Sequence, residues 1–313
     1  MEHILKLLSV DESNYKDAPR EGVRRILEIA TGNKYDRNDK LPVDKIDSIR
    51  LSTTVATNAL LERQGAKFAL LVTKGFRDLL QIGNQSRPKI FDLNIRRPGV
   101  LYEKVVEVDE RVTLVGYASD PKREERAVRF NEDGSVTKGY DDEQYEQGQI
   151  VQGMSGEAVR ILRGVDEQVI KQDLRKLYDE GYRSLAVVLM HAFTFPDHER
   201  QIAQLAEEIG FQHISISSSS LPMIRIVARG TSTTADAYLT PVLRKYIDGF
   251  FDGFDSSLRE TASKREMSKE DLERTTSVEF MRSDGGLTDV SGFSGLRSIL
   301  SGPAGGVCHS FSS

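Results

Sequence analysis

Apolar positions along the chain recur at two spacings, one helical and one extended. His3 to Val10 reads as a strand. Val23, Ile26, Leu27 and Ala30 then recur at helical spacing, with Asp17 as the cap, Pro19 in the first turn and Gly32 at the stop. Ile46 to Ser52 predicts a short strand. Val55 to Gln64 predicts a helix opened by Thr53 and Thr54 and closed by Gly65. Phe68 to Val72 is a continuous apolar run, as in a strand buried within a parallel sheet. Gly75 ends it before a short helix from Phe76 to Ile82, and Val105 to Val112 alternates apolar and charged residues like a strand with one wet face.

The same alternation continues. Asp166 to Glu180 predicts a helix with Ile170, Leu174, Leu177 and Tyr178 on one face, and Leu185 to Met190 a second buried strand. Pro196 to Ile209 is another helix, and His213 to Ser217 another strand. Strand and helix in alternation predict a doubly wound α/β domain. Thr233 to Phe251 is a long helical pattern in which Pro241 either makes a kink or separates two helices. Asp255 to Ser277 reads as a linker or solvated helix. Ser277 to Ser283 is a strand, Asp284-Gly285-Gly286 a turn, Phe293 to Leu300 a helix and Ser301 to Gly306 a Gly-rich turn. Residues 118–148, rich in charge, predict a surface excursion without chemistry.

The 313 residues fit about two domains, divided here as 1–220 and 221–313. A hydrophobic share of 38% leaves ample material for a core. The net charge of −5 argues against a general grip on nucleic acid, which needs an excess of Lys and Arg. Cys308 is the single cysteine, so there is no internal disulfide and no zinc-type ligand spacing, and a reducing, cytoplasmic setting is expected. No apolar run approaches the roughly 20 residues of a membrane span, and the start has no signal-peptide pattern.

Candidate chemistry falls where strands run into helices. Thr53, Thr54 and Asn58 stand at a helix start, whose free N–H groups suit an anion or a carboxylate. Gly83 and Arg87 follow the strand from Phe68, and Arg87 has the fork to hold a carboxylate by two hydrogen bonds. His191 ends the second buried strand. His198, in the next helix, reads as a structural His–carboxylate contact. Arg229 precedes a run of hydroxyls, and Asp284, Gly285 and Gly286 allow close backbone approach to a phosphate. None of these runs is a P-loop or a dinucleotide fingerprint.

Together the segments resemble the hydantoinase A / 5-oxoprolinase family. The residues that carry the resemblance are Thr53 to Arg63, Gly75 to Leu80 with Ile82-Gly83, Arg87-Pro88, Ile90 to Leu93, Asp109 to Val112, His191, Pro196 to Glu199, Ala235 to Leu239 and Ser301 to Val307. The run Pro222 to Gly230 is most similar to the eukaryotic ATP-dependent members. The resemblance implies an actin-like, Hsp70-like ATPase fold and hydrolysis of 5-oxo-L-proline to L-glutamate, coupled to ATP with Mg2+ and a monovalent cation, within glutathione turnover. It also implies a homodimer for the complete protein. Two Asp-X-Gly-Gly-Thr-type phosphate loops of the family, one before His3 and one after Val307, are not in this sequence. The expectation is therefore the N-terminal part of such an enzyme, with an incomplete fold, no assigned catalytic residue and no assigned metal ligands. A catalytically inactive fragment and a hydantoinase-type cyclic amide hydrolase are the alternatives. Unpaired sheet edges predict self-association of the isolated chain.

Overall fold

The computed structural model describes residues 3–9, 11, 13–84, 91, 93–94, 98–115, 124, 127–138, 148–263 and 276–312. Arg87 and most of residues 118–148 lie outside them. The chain forms two compact units, one of residues 66–241 and one of residues 1–65 with 242–313.

The 66–241 unit is built on a four-stranded parallel sheet in the order His213–Ile216, Ser184–Val188, Phe68–Thr73, Lys104–Val108. Every residue of Phe68–Thr73 and of Ser184–Val188 is buried, because both faces of the sheet are covered. On one face Ala69, Leu71, Leu185 and Val187 pack against helices Glu167–Asp179 and Asp197–Ile209. Asp166 caps the first helix by accepting from the N–H groups of Gln168 and Val169, and Gly210 ends the second in the left-handed region. On the other face the ring of Phe68 meets Tyr238 edge-on at 6.3 Å. Tyr238 belongs to the helix Ile226–Phe251, which runs through Pro241 unbroken. Pro241 has no N–H for the carbonyl of Ala237, and the buried Ser184 hydroxyl donates to that carbonyl instead, at 2.8 Å.

The run from Val105 to Val112 is two strands, not one. Lys104–Val108 stays in the parallel sheet, and Arg111–Leu114 joins an antiparallel sheet with Ala158–Arg163 and Gln149–Gln152. The break falls at Asp109-Glu110, where the buried Glu110 side chain turns inward. Within residues 118–148 the described part includes a hairpin of Arg129–Phe130 with Val136–Lys138.

In the other unit Ser48–Leu51 pairs parallel with Ser277–Met281, which pairs antiparallel with Leu287–Thr288. The helix Ala18–Thr31 begins at Asp17, which accepts from the N–H of Arg20, and ends at Gly32. Its core gathers Leu27, Ile49, Phe250, Phe254, Phe280 and Phe293, with the last two rings stacked at 4.8 Å. Two expectations change here. Among the described residues, 3–9 pair with no strand and leave Ile4 and Leu8 exposed, so the strand expected from His3 does not form there; its last residue, Val10, lies outside the described residues. The Gly-rich run from Ser301 opens the helix Ser301–Ser312, since Pro303 falls in its first turn, where a missing N–H costs nothing. The helix expected over Phe293 to Leu300 shrinks to Gly295–Ser298.

Candidate functional site

All four parallel strands of the 66–241 unit end at one edge. The chain leaves the central strand Phe68–Thr73 for Lys104–Val108 on one side, and Ser184–Val188 lies on the other. In open α/β sheets, ligands bind at the carboxyl edge beside such a change of direction. The residues delivered there are Thr73, Asp109-Glu110, Leu189-Met190-His191 and Ser217.

Most of this edge is a closed polar frame. Glu110, 2% exposed, accepts from the Thr73 hydroxyl and contacts His198 Nδ1 at 2.8 Å. Thr73 Oγ1 in turn accepts from the N–H of Met190 at 2.9 Å. Glu199 is buried and accepts from the N–H of Leu189 at 2.9 Å, the Ser217 hydroxyl at 2.5 Å and the N–H of Ser218 at 2.8 Å. Arg229, wholly buried, donates through Nε to Ser217 Oγ at 2.8 Å, through Nη2 to the carbonyl of Leu189 at 2.7 Å and through Nη1 to the carbonyl of Met223 at 2.7 Å. The Ser217 hydroxyl thus lies between a guanidinium and a carboxylate, accepting from one and donating to the other. Burial pushes the Glu199 carboxyl up from its ordinary pKa, against the hydrogen bonds that favour its charge. Burial also lowers the pKa of Arg229, which nearby Glu199 opposes.

Both backbone polar groups of Leu189 and the amide of Met190 are therefore held by buried side chains. The next residue, His191, has φ of 56°, a conformation that costs a non-glycine residue about 1 kcal/mol. Its imidazole is half-buried. Burial holds its pKa below the usual value, Arg229 and Arg111 add to that effect, and Glu110 opposes it. The frame holds His191 at the ligand edge.

The candidates from the sequence divide between the two units. Gly83, His191 and Arg229 belong to the 66–241 unit. Gly83 closes the helix Leu79–Ile82 with φ 60° and ψ −155°, a region open only to glycine, and Leu80 of that helix packs on Gly230 beside Arg229. Thr53, Thr54, Asn58, Asp284, Gly285 and Gly286 belong to the other unit. There Thr53, buried, donates its N–H to Ser301 Oγ at 3.3 Å, and a Cβ on Gly302 would stand 2.3 Å from Thr54 Cγ2. The start of the helix Ser301–Ser312 therefore packs directly on this segment. Thr54 and Asn58 are exposed, and Thr54 makes no side-chain cap bond. In the Asp284 turn, the N–H of Gly285 donates to the carbonyl of Arg282, and that of Gly286 to Asp284 Oδ1 at 3.0 Å.

Thr73, Glu110, Glu199 and Ser217 were not singled out as site residues from the sequence. Their signal is faint: each is a polar residue at the carboxyl end of an apolar run or in a helix's first turn. His198 does make the His–carboxylate contact expected of it, with Glu110 as partner. A second buried cluster joins Ser215, His213 and Asp236. The Ser215 hydroxyl donates to Asp236 Oδ2 at 2.7 Å and lies 2.9 Å from His213 Nε2. The carboxylate contacts the serine and the same His213 Nε2, at 3.3 Å, where a nucleophilic triad has it on the far ring nitrogen. This cluster ties the edge strand to the helix Ile226–Phe251.

Comparison with known proteins agrees with the resemblance. Residues 1–210 match the hydantoinase/oxoprolinase N-terminal region, and residues 229–312 match hydantoinase/oxoprolinase. The chain is 53% identical to an uncharacterised protein of Schizosaccharomyces pombe, 49% to 5-oxoprolinase 1 of Arabidopsis thaliana and 45% to 5-oxoprolinase of Saccharomyces cerevisiae. Each match covers 97% of this chain and 21% of the relative, so the chain spans about a fifth of their length. Among solved structures it is similar in fold to an ATP-dependent caprolactamase from Pseudomonas jessenii, with TM-score 0.57, 21% identity and coverage of 97% of this chain and 36% of that one. It is also similar to a nucleotide-free acetone carboxylase, with TM-score 0.53, 17% identity and coverage of 86% and 32%.

Proposed function

The chain belongs to the hydantoinase/oxoprolinase family, and on that premise we propose that it is the N-terminal part of an ATP-dependent 5-oxoprolinase, hydrolysing 5-oxo-L-proline to L-glutamate. The observation that carries this reading is the match to relatives named 5-oxoprolinase along 97% of the chain. The site geometry supports it. Residues from three of the segments that carry the resemblance, Glu110, His191 and the His198-Glu199 pair, meet at one sheet edge together with Arg229.

The same proposal includes an actin-like fold for the complete protein, which the parallel sheet covered on both faces supports. It places the protein in the cytoplasm and in glutathione turnover, as a homodimer. No helix among the described residues is long and apolar enough to cross a membrane. ATP, Mg2+ and a monovalent cation enter as partners of the longer protein. Among the described residues the amides of Gly285 and Gly286 are engaged within their own turn, and no three His, Cys, Asp or Glu side chains stand together to hold a metal ion. That turn thus offers these groups neither of its glycine amides, and no step through them is assigned to this chain.

The test uses a protein of the relatives' length that carries this chain. It is expected to release phosphate and glutamate when given ATP and 5-oxo-L-proline, and to do so faster than with N-methylhydantoin. Absence of phosphate release dependent on 5-oxo-L-proline overturns the substrate. Preference for the hydantoin moves the chain to the hydantoinase branch.

A further inference from the structure

We propose that Arg111, flanked by Lys74 and Arg163, forms a binding site for a small organic monocarboxylate at the carboxyl edge of the parallel sheet. Its further assignment to the carboxylate of 5-oxo-L-proline rests on the function proposed above.

A cleft of about 390 Å³ opens where Phe68–Thr73 and Lys104–Val108 end, lined by Lys74, Asp109, Glu110, Arg111, Leu162 and Arg163. That volume lies in the range of small-molecule sites, roughly 300–1,000 Å³. Three cations and two carboxylates line it, and the pairing among them is uneven. Asp109 receives both Lys74, at 3.3 Å, and Arg163, at 2.5 Å. Glu110 turns its carboxylate away from the cleft into the protein, toward Thr73 and His198. Arg111 is left over: among the described residues no carboxylate pairs with it. Its guanidinium lies 5.2 Å from the centre of the Phe76 ring. Stacking on an aromatic face orients the planar fork and leaves its N–H edge free for a carboxylate in two parallel hydrogen bonds. Lys74 and Arg163 have exposed side chains that can turn from Asp109 toward an incoming anion.

The lining carries one positive charge in excess of its carboxylates, which selects a monoanion. His191 is the neighbouring polar group. It follows Met190, whose N–H bonds the same Thr73 hydroxyl that donates to Glu110, so it stands at this edge as a partner for a ring amide. A five-membered lactam with a carboxylate on the ring presents both features that this edge can recognise.

Calorimetry on the chain itself tests the site, with four probes: 5-oxo-L-proline, cyclopentanecarboxylate, 2-pyrrolidinone and inorganic phosphate. Saturable binding is expected for the two carboxylates and not for 2-pyrrolidinone, which has the lactam without the charge. Arg111→Gln should weaken carboxylate binding at least about tenfold, and Arg111→Lys should restore part of it. Arg259→Gln, in the other unit, should leave it unchanged. Circular dichroism checks the fold of each variant. Should Arg111→Gln fail to fold, the Lys74→Gln/Arg163→Gln double variant is expected to show the weakening. No saturable carboxylate binding, binding indifferent to Arg111, or preference for phosphate overturns the site. Binding of cyclopentanecarboxylate through Arg111 without binding of 5-oxo-L-proline keeps the site and overturns the substrate reading. An unchanged KM for 5-oxo-L-proline in an Arg111→Gln variant of the longer protein overturns the assignment of this site to the substrate carboxylate and keeps the proposed function.

Discussion

At the scale of single residues, the serine between Arg229 and Glu199 is the most exposed to a test. Ser217 accepts from one ion and donates to the other, so both depend on a single hydroxyl. Ser217→Ala leaves a buried N–H of Arg229 and a lone pair of Glu199 without that partner. The expected loss is about 3 kcal/mol, read as a shift in urea midpoint at constant slope. A loss below about 1 kcal/mol would mean that the two ions pair directly once the hydroxyl is gone. His191 gives a second test of the same frame. If its left-handed backbone is strained and held by Glu199, Arg229 and Thr73, then His191→Gly should be more stable than His191→Ala by about 1 kcal/mol, reversing the ordinary order of the two residues. Equal stability of the two variants would show that the backbone relaxes and that nothing holds it.

At the scale of elements, the helix Ile226–Phe251 shows how a local rule is met by a distant residue. Pro241 breaks the hydrogen-bond ladder at Ala237, and Ser184, 53 positions earlier, supplies the missing donor. Ser184→Ala should cost about 1–2 kcal/mol in the natural background, since it leaves a buried carbonyl unsatisfied. With Pro241→Ala also present, the helix regains its own donor, and the same change should cost clearly less. Purely additive effects in this double-mutant cycle would refute the pairing. The example also marks what was legible in the sequence. The caps at Asp17 and Asp166, the stops at Gly32 and Gly210 and the buried strands from Phe68 and Leu185 follow from neighbours a few positions away. The partner of Pro241 does not. Neither does the break between Lys104–Val108 and Arg111–Leu114, because Glu110 is drawn inward by Thr73 and His198, which are 37 and 88 residues distant. His191 was legible as an edge residue from its place after an apolar run, and Arg229 as a candidate from the hydroxyls that follow it. The buried frame that holds them was not, since each of its bonds joins separate elements.

At the scale of the whole molecule, the buried carboxyls divide the acid range between them. Hydrogen bonds from Arg24 hold Glu21 down to about 2, against a burial effect that would raise it. Burial alone would raise Asp236, yet its bonds from His213, Ser215 and Thr240 outweigh that and keep it below its usual range. In the unfolded chain both return to ordinary values, 4.5 for a glutamate and 3.8 for an aspartate. Below those values the unfolded chain binds protons that the folded chain refuses, so the stability these groups contribute above pH 4.5 is lost as pH falls toward the folded values. Glu199 has the opposite sign. Its folded value is raised, so its contribution is fully present below the unfolded value and is lost as pH rises through the folded one. His191, with a lowered value, works against Glu199 in the range just below its ordinary 6.5, so wild-type stability alone cannot separate them. Differences between variants can. The stability gap between the natural protein and Glu21→Gln should shrink as pH drops from 4.5 toward 2 and stay flat above. The gap between the natural protein and Glu199→Gln should instead move in favour of the natural protein as pH drops toward the ordinary glutamate value of 4.5, as the buried carboxyl takes up its proton. Urea titrations at a series of pH values read both. A Glu199→Gln gap that is constant over that range would mean that the carboxyl stays charged at the sheet edge. In that case Arg229, through Ser217, would be sufficient to hold a buried charge there.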